Sequence, residues 1–382
     1  MKNGYPSKNK RTHSGRRYTK RSIAIVCTIV LLLCGCVVVV KARTGNNDAT
    51  ITSIGDVQNS AIITSGARPD TISKPSEPLS GKRFYVDKAR TVNKLAAEYA
   101  KTGKTAEAQL LDRIASQPGT TWLTGPSPND LAAARDIKEV QRTSEEAAKE
   151  GAVPIYMLYA LPGRDACADY SKGGFQSEAD YLVWIDKVVQ TLRADAVIVV
   201  EPDAVAHTLK NTCLNPKQIA DRYALLNKAV VKLSSSDRVL GTYLDAGHSE
   251  WLPDPTILVE PLRKSGVEHA RGVSVNVSFF AETVTATKWA QQLASLIGGK
   301  GVLIDTSRNG KGIAPATGVA RWCNPPGRGL GYRPSTDTMD KHIDAYFWGK
   351  SAGESDGDCF GNPAAGTFVP NIALELARNA AQ

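Results

Sequence analysis

The sequence predicts an α/β fold, a distorted TIM-like β/α barrel of parallel strands, preceded by a single transmembrane helix and a linker. Three observations lead there. Apolar strand-like runs alternate with amphipathic helical stretches from about Phe84 onward, the pattern of parallel strands joined by helical crossovers. Acidic residues collect after the strand candidates and not before them, as on the loop-bearing rim of a barrel. Nineteen uncharged residues, Ser22–Val40, precede all of this and are long enough to span a bilayer.

The chain has 382 residues, of which 22% are charged, an ordinary globular composition. Its net charge of +9 suggests nucleic acid, but residues 1–43 hold ten Lys or Arg and no acid, which leaves the remainder at −1. A near-neutral domain has no electrostatic case for binding phosphate, and no nucleic-acid partner is expected. Eight of those basic residues precede Ser22 and only two fall in 41–60, a bias that keeps the N-terminus cytoplasmic and places the rest outside. The expected organisation is a cytoplasmic tail (1–21), a signal anchor (22–40) contacting the membrane, a Ser/Thr/Gly/Asn/Pro-rich linker (41–82) and one folded domain (83–382). If the anchor is cleaved, the domain is secreted. Cys167, Cys213, Cys323 and Cys359 fall outside the apolar run and suggest disulfides, with three pairings possible from spacing alone.

Strands are expected at Val153–Leu161, Ala196–Val200, Val239–Leu244, Gly272–Val277, Val302–Ile304 and Ile343–Trp348, with weaker candidates at Phe84–Val86 and Thr121–Leu123. Helices are expected around 104–116, 127–150, 177–193, 215–234, 256–265, 281–297 and 370–380. The strands run into Asp165, into Glu201 and Asp203, into Asp245, into Asp305, and into Glu354 and Asp356. So many successive charged ends favour a ring over the single crevice of an open sheet. One such acid serves as readily to cap a helix or hold an arginine; several on one rim are material for glycoside hydrolysis. There a protonated carboxyl donates to the leaving oxygen, an ionised group helps activate water, and crowding raises the pKa of one of them. Trp122, Tyr159, Trp251 and Trp322 lie on the same rim, where aromatic planes pack against the C–H faces of sugars. Other catalytic kits fit poorly. Gly247-His248-Ser249-Glu250-Trp251 lacks the closing glycine of a nucleophile elbow. Five histidines without paired-ligand spacing give no zinc centre, and no cofactor or metal is expected.

The motifs YALPGRDAC, VVEPD, LDAGHSEW, IDTSRNGKG, RWCNPPGRG and KSAGESDGDC, in that order, resemble glycoside hydrolase family 6, the inverting cellulases, over roughly residues 84–380. The resemblance implies a distorted barrel of seven parallel strands, so one of the eight candidates should lie outside it. It implies that Asp203 is the general acid, that Asp165 lifts the Asp203 pKa and organises water, and that Asp356 is the base. A water chain through Ser171 is the alternative to that base. Tyr159 would sit near a distorted sugar ring, with Asp245 and Arg164 supporting. His248, Asn276, Lys350 and Glu354 would bind substrate, and Trp122, Trp251 and Trp322 would be stacking platforms. Asp305 and Arg308 look structural. The family's cysteine pattern implies Cys167–Cys213 and Cys323–Cys359. Two departures stand out: Ala166 separates Asp165 from Cys167, and Leu-Thr-Gly-Pro follows Trp122 without the polar residues of many relatives. The expected activity is hydrolysis of internal bonds in β-1,4-glucan by a monomer, with inversion. The alternatives are a catalytically silent wall-anchored polysaccharide-binding protein, or a hydrolase of another cell-envelope β-glycan.

Overall fold

The structure, a computed structural model, describes residues 78–130, 133–167, 170–209 and 212–380. The expected tail, anchor and most of the linker lie outside the described residues. Among the described residues no helix is long and apolar enough to cross a membrane.

Seven strands form one parallel sheet in sequence order: β1 Thr120–Leu123, β2 Ile155–Leu158, β3 Ala196–Val200, β4 Val239–Asp245, β5 Gly272–Val275, β6 Gly301–Asp305 and β7 Ile343–Phe347. Strand residues point alternately to two faces, and the two apolar clusters follow that period of two. Ile155 and Met157, Val197 and Val199, Tyr243, Leu303, Ala345 and Phe347 share one cluster, which Leu79 and Phe84 also join. Tyr156 and Leu158, Ile198 and Val200, Leu244, Val273 and Ile304 belong to the other, with Trp184, Leu226 and Trp289 from the helices. The first cluster therefore fills the inside of the curled sheet and the second joins the sheet to its helices. Burial on both faces explains why β3 reads Ala-Val-Ile-Val-Val without alternation.

No backbone ladder joins β7 to β1. Side chains bond across that seam instead: Thr120 Oγ1 donates to Trp348 O at 2.9 Å, and Trp122 Nε1 to Gly349 O at 2.7 Å. The barrel is thus distorted and open along one edge. Helices α1 Thr91–Lys101, α2 Thr105–Ala115 and, at the chain's end, α8 Pro370–Arg378 share a core with Trp348 beside this seam. The sequence expectations left out α1, whose apolar face, Val92, Leu95, Ala96 and Tyr99, spans only two turns. The outer helices are α3 Ala134–Glu150, α4 Glu178–Thr191, α5 Pro216–Ser234, α6 Val259–Lys264 and α7 Thr283–Leu296. Local chemistry sets their starts: Ser177 Oγ caps α4, and Asn215 with Gln218 forms a capping box ahead of Pro216 on α5.

Three expectations need correction. Phe84–Val86 makes only a single bridge, Phe84 to Val153, so it is the eighth candidate that lies outside the sheet. The strand expected at 153–161 stops at Leu158, because Ala160 N and Leu161 N donate to the Glu201 carboxylate instead of to a neighbouring strand. The segment read as linker up to residue 82 contributes Leu79 to the core with no exposed surface.

Candidate active site

Every strand leads its loop to the same rim. Together these loops enclose a cleft of about 720 Å³, a volume suited to a ligand of several rings. Twelve of the fourteen non-cysteine residues expected at the site line it: Trp122, Tyr159, Arg164, Asp165, Ser171, Asp203, His248, Trp251, Trp322, Lys350, Glu354 and Asp356.

The β2 loop carries Asp165. Its Oδ2 accepts from Ser171 N at 2.5 Å and from Ser171 Oγ at 3.0 Å, and Ser171 Oγ lies 2.9 Å from the Tyr159 hydroxyl. Arg164 staples this loop, donating to Ser171 O and Thr124 O at 2.8 Å and to Tyr159 O, with its guanidinium 4.6 Å from the Tyr159 ring centre. Gly174 returns the loop to the sheet at φ +89°; a Cβ there would lie 2.0 Å from Leu161 O.

The β3 loop carries Asp203. Asp165, Glu201 and Asp203 all have left-handed backbones, with φ of 53°, 52° and 68°. Such positions cost energy in non-glycine residues and persist where surrounding contacts over-determine them. For Glu201 those contacts are explicit: fully enclosed, it accepts from Ala160 N, Leu161 N and the Tyr181 hydroxyl. It therefore fixes the β2 loop from beneath and does not face the cleft. Asp203 does face it. Burial, and then the charge of Asp165, push its carboxyl up to about 7. No hydrogen bond among the described residues ends on its carboxyl oxygens. Asp245 lies directly behind and off the cleft, accepting from Asp203 N at 2.9 Å, Gly247 N at 3.0 Å and Ser274 Oγ at 3.0 Å. Burial and the Asp203 charge raise Asp245 too, but three donors favour its ionised form. Of the pair, Asp203 holds the proton.

The β4 loop supplies His248 and Trp251. His248 stacks on Phe279 with ring centres 3.5 Å apart, and its Nδ1 accepts from Trp251 N at 3.2 Å, which leaves the proton on Nε2. Burial, and then the Arg321 charge, lower its pKa to about 3, so the imidazole is neutral. Asn276, expected to bind substrate, does not reach the cleft. Its Nδ2 donates to Ala281 O and Asp305 O, and the residue is buried as a brace between the loops after β5 and β6. Asp305 plays a similar part with its carboxylate, accepting from Ser278 N, Ser307 N and Lys350 N.

Asp356 reaches the cleft in the company of two cations. Arg308 Nη1 donates to its Oδ2 at 2.8 Å, Lys350 Nζ lies 3.5 Å from Oδ1, and Asn324 N donates to Oδ2 at 2.9 Å. Burial alone would raise its pKa, but Arg308 and Lys350 outweigh that and hold it below the ordinary carboxylate range. Asp356 is thus ionised and a reluctant proton acceptor. Lys350 Nζ also donates to Ser355 O at 3.0 Å, so it holds this loop as well as lining the cleft. Burial raises the pKa of Glu354.

Two disulfides brace these loops. Cys167–Cys213 joins the Asp165 loop to the segment after Asp203, and Cys323–Cys359 joins the loop after β6 to the Asp356 loop. Of the aromatic platforms, Trp122 stands edge-on to Tyr159, Trp251 to His207, and Trp322 to Tyr170. The sequence reading passed over Tyr170, His207, Glu250, Phe279 and Arg321, all of which line the cleft. Glu250 and Arg321 could have been found, since each directly precedes a tryptophan already singled out. Phe279 lies on an irregular loop and His207 on a three-residue 3₁₀ turn, both too short of regular structure to give side-chain direction a period to read.

Fold and site together define a β/α-barrel protein with an acidic, aromatic-flanked cleft at the carboxyl ends of its strands. The chain belongs to the glycosyl hydrolases family 6, whose model matches residues 79–380. It is 38% identical over 304 residues to endoglucanase A of Cellulomonas fimi and 36% identical over 302 to endoglucanase A of Thermobispora bispora. Those alignments cover 80% and 78% of this chain but only 62% of either relative, so the chain spans under two thirds of their length. Among solved structures, the endoglucanase Cel6 from Mycobacterium tuberculosis, in complex with a methyl-cellobiosyl-thio-cellobioside, superposes with a TM-score of 0.71 at 40% identity. That match covers 80% of this chain and 99% of the other.

Proposed function

We propose that the protein hydrolyses internal β-1,4-glucosidic bonds of cellulose or a related β-glucan with inversion of the anomeric carbon. The observation that carries this reading is the state of Asp203: it faces the cleft, unbonded at its carboxyl, with a pKa raised to about 7 beside Asp165. At neutral pH such a group still holds a proton it can give, as a general acid requires. In this reading Asp203 protonates the leaving glycosidic oxygen as the C1–O bond breaks. Water adds to C1 from the opposite face, and its proton passes through Ser171 to Asp165, so one proton is given and one is taken. The hydrogen-bonded run Tyr159–Ser171–Asp165 supports this route, and the ion pairs of Asp356 speak against its being the proton acceptor. Asp356 instead supplies fixed negative charge near the developing oxocarbenium ion. Cleavage within the chain is supported by the names of the two relatives from Cellulomonas fimi and Thermobispora bispora, both endoglucanases.

Proton NMR of the first product tests the mechanism. The α-anomer is expected, and an initial β-anomer would end the inverting reading. Loss of viscosity in carboxymethyl cellulose well ahead of reducing-end release is expected for internal cuts. We further infer that the domain works outside the cytoplasm, tethered through residues 22–40 or released if that segment is cleaved. The two disulfides support an oxidising compartment. Recovery of the full chain in the cytosolic fraction, with its cysteines reduced, would remove that inference.

A further inference from the structure

Trp251 lies on the Asp203 side of the cleft, packed edge-on against His207 from the turn that follows Asp203. Trp322 lies on the Asp356 side, next to the disulfide-bonded Cys323 and two residues before Asn324, which bonds Asp356. The residue before each tryptophan reaches across to the other: Arg321 Nη2 donates to Glu250 Oε2 in an ion pair, and both side chains line the cleft. Trp322 sits at the end of a short 3₁₀ turn, Gly318–Arg321, whose first residue gains no side-chain cap. That turn belongs to the long, mostly irregular connection between β6 and β7.

We propose that the Glu250–Arg321 ion pair is a clamp that sets the spacing of the Trp251 and Trp322 platforms, and thereby the affinity for a β-glucan long enough to lie on both. The inference rests on the glucanase reading and adds a positioning role that reading does not contain. Its geometry is simple. Consecutive Cα atoms are about 3.8 Å apart, so pairing Glu250 with Arg321 restrains the backbone next to both rings. The guanidinium fork and the carboxylate hold direction as well as distance. Both partners are partly exposed, with side-chain exposures of 39% and 34%, so the pair is modest in strength. Its effect belongs on binding of long chains and not on the bond-breaking step, because neither residue is bonded to Asp203, Asp165 or Asp356.

The test is steady-state kinetics on cellohexaose with Glu250→Gln, Arg321→Gln and the charge-reversed pair Glu250→Arg/Arg321→Glu. Each single change is expected to raise KM by about 2–5-fold, the range for a partly exposed pair, with the effect falling on KM and not on kcat. The reversed pair is expected to return KM to within twofold of the starting chain. Unchanged KM in both single variants overturns the clamp. So does failure of the reversed pair to recover, which would mean that each side chain contacts glucan hydroxyls itself. Calorimetric affinity for cellohexaose, measured with the same three substitutions in an Asp203→Asn background, reads the clamp without turnover. A starting chain that binds cellohexaose but never cleaves it sinks the glucanase reading alone, and the same affinity series then decides the clamp.

Discussion

Asp203 and Asp356 line one cleft, and their surroundings drive them to opposite states. At Asp203 the charge that acts on the buried carboxyl is another carboxylate, Asp165, and no cation offsets it, so the proton is held. On the Asp356 side burial is as severe, but Arg308 and Lys350 outweigh it and the charge is kept. Residue type is therefore a poor guide to role. Desolvation penalises both carboxylates, and the sign of the neighbouring charge decides which of them can act as an acid.

The sharpest way to break this contrast is Asp203→Asn. It should lower kcat on cello-oligosaccharides by about 10²–10⁴-fold while leaving calorimetric binding nearly intact; retained turnover would remove Asp203 from the acid role. Next comes Arg308→Gln, which removes the cation bonded to the buried Asp356 carboxylate and leaves it only the more distant Lys350. Breaking a buried pair from one side costs about 3–5 kcal/mol, so urea midpoints should fall clearly, whereas Asp203→Asn should not destabilise at neutral pH. Equal stabilities of the two variants would show that the sides are not opposed. The disulfides offer a control in which the sides should behave alike. Their loops of 46 and 36 residues differ little. Replacing either pair of cysteines by serine should cost about 4 kcal/mol in the chain-entropy model, equal within a few tenths.

The pH dependence separates the two sides by its sign. Asp203 has a folded pKa raised from 3.8 to about 7, so the folded state binds more protons across that window and stability falls as pH rises through it. Asp203→Asn should lack that slope, gaining on the parent chain as pH climbs from 4 to 8 and matching it at the acid end. Asp356, with a lowered pKa, contributes stability above the ordinary carboxylate range and loses it as pH falls below about 3.8. Thermal melts of the parent chain and of Asp203→Asn between about pH 4 and 8, and of the parent chain below about pH 3.8, would check both slopes. The alkaline limb of kcat should likewise fall as pH rises through about 7, where Asp203 gives up its proton.

Much of this molecule was legible in its residues. Buried parallel strands read as continuous apolar runs, as β3 does. The acids after them announced the rim, since a parallel barrel sends every strand's carboxyl end the same way. Twelve expected residues do line one cleft. The misreadings have a common cause. Phe84–Val86 has strand-like composition but only one bridging partner, and β2 ends early because Glu201, 40 residues on, captures two of its backbone N–H groups. Asn276 sits among catalytic-looking neighbours yet turns inward to bind two carbonyls.

By itself, the sequence determined the seven strands, most of the helices, their parallel order, and most of the acids and aromatics that gather at one end. Those follow from hydrophobic period and chain order, which are local. Tertiary structure alone decided that Asp203 keeps its proton while Asp356 gives its up, that Glu201 and Asn276 serve the scaffold, and that Glu250 pairs with Arg321. Each of these depends on which charges and donors come within a few ångströms of a buried group, and residues as distant in the chain as Arg308 and Asp356 become neighbours only once the sheet has curled.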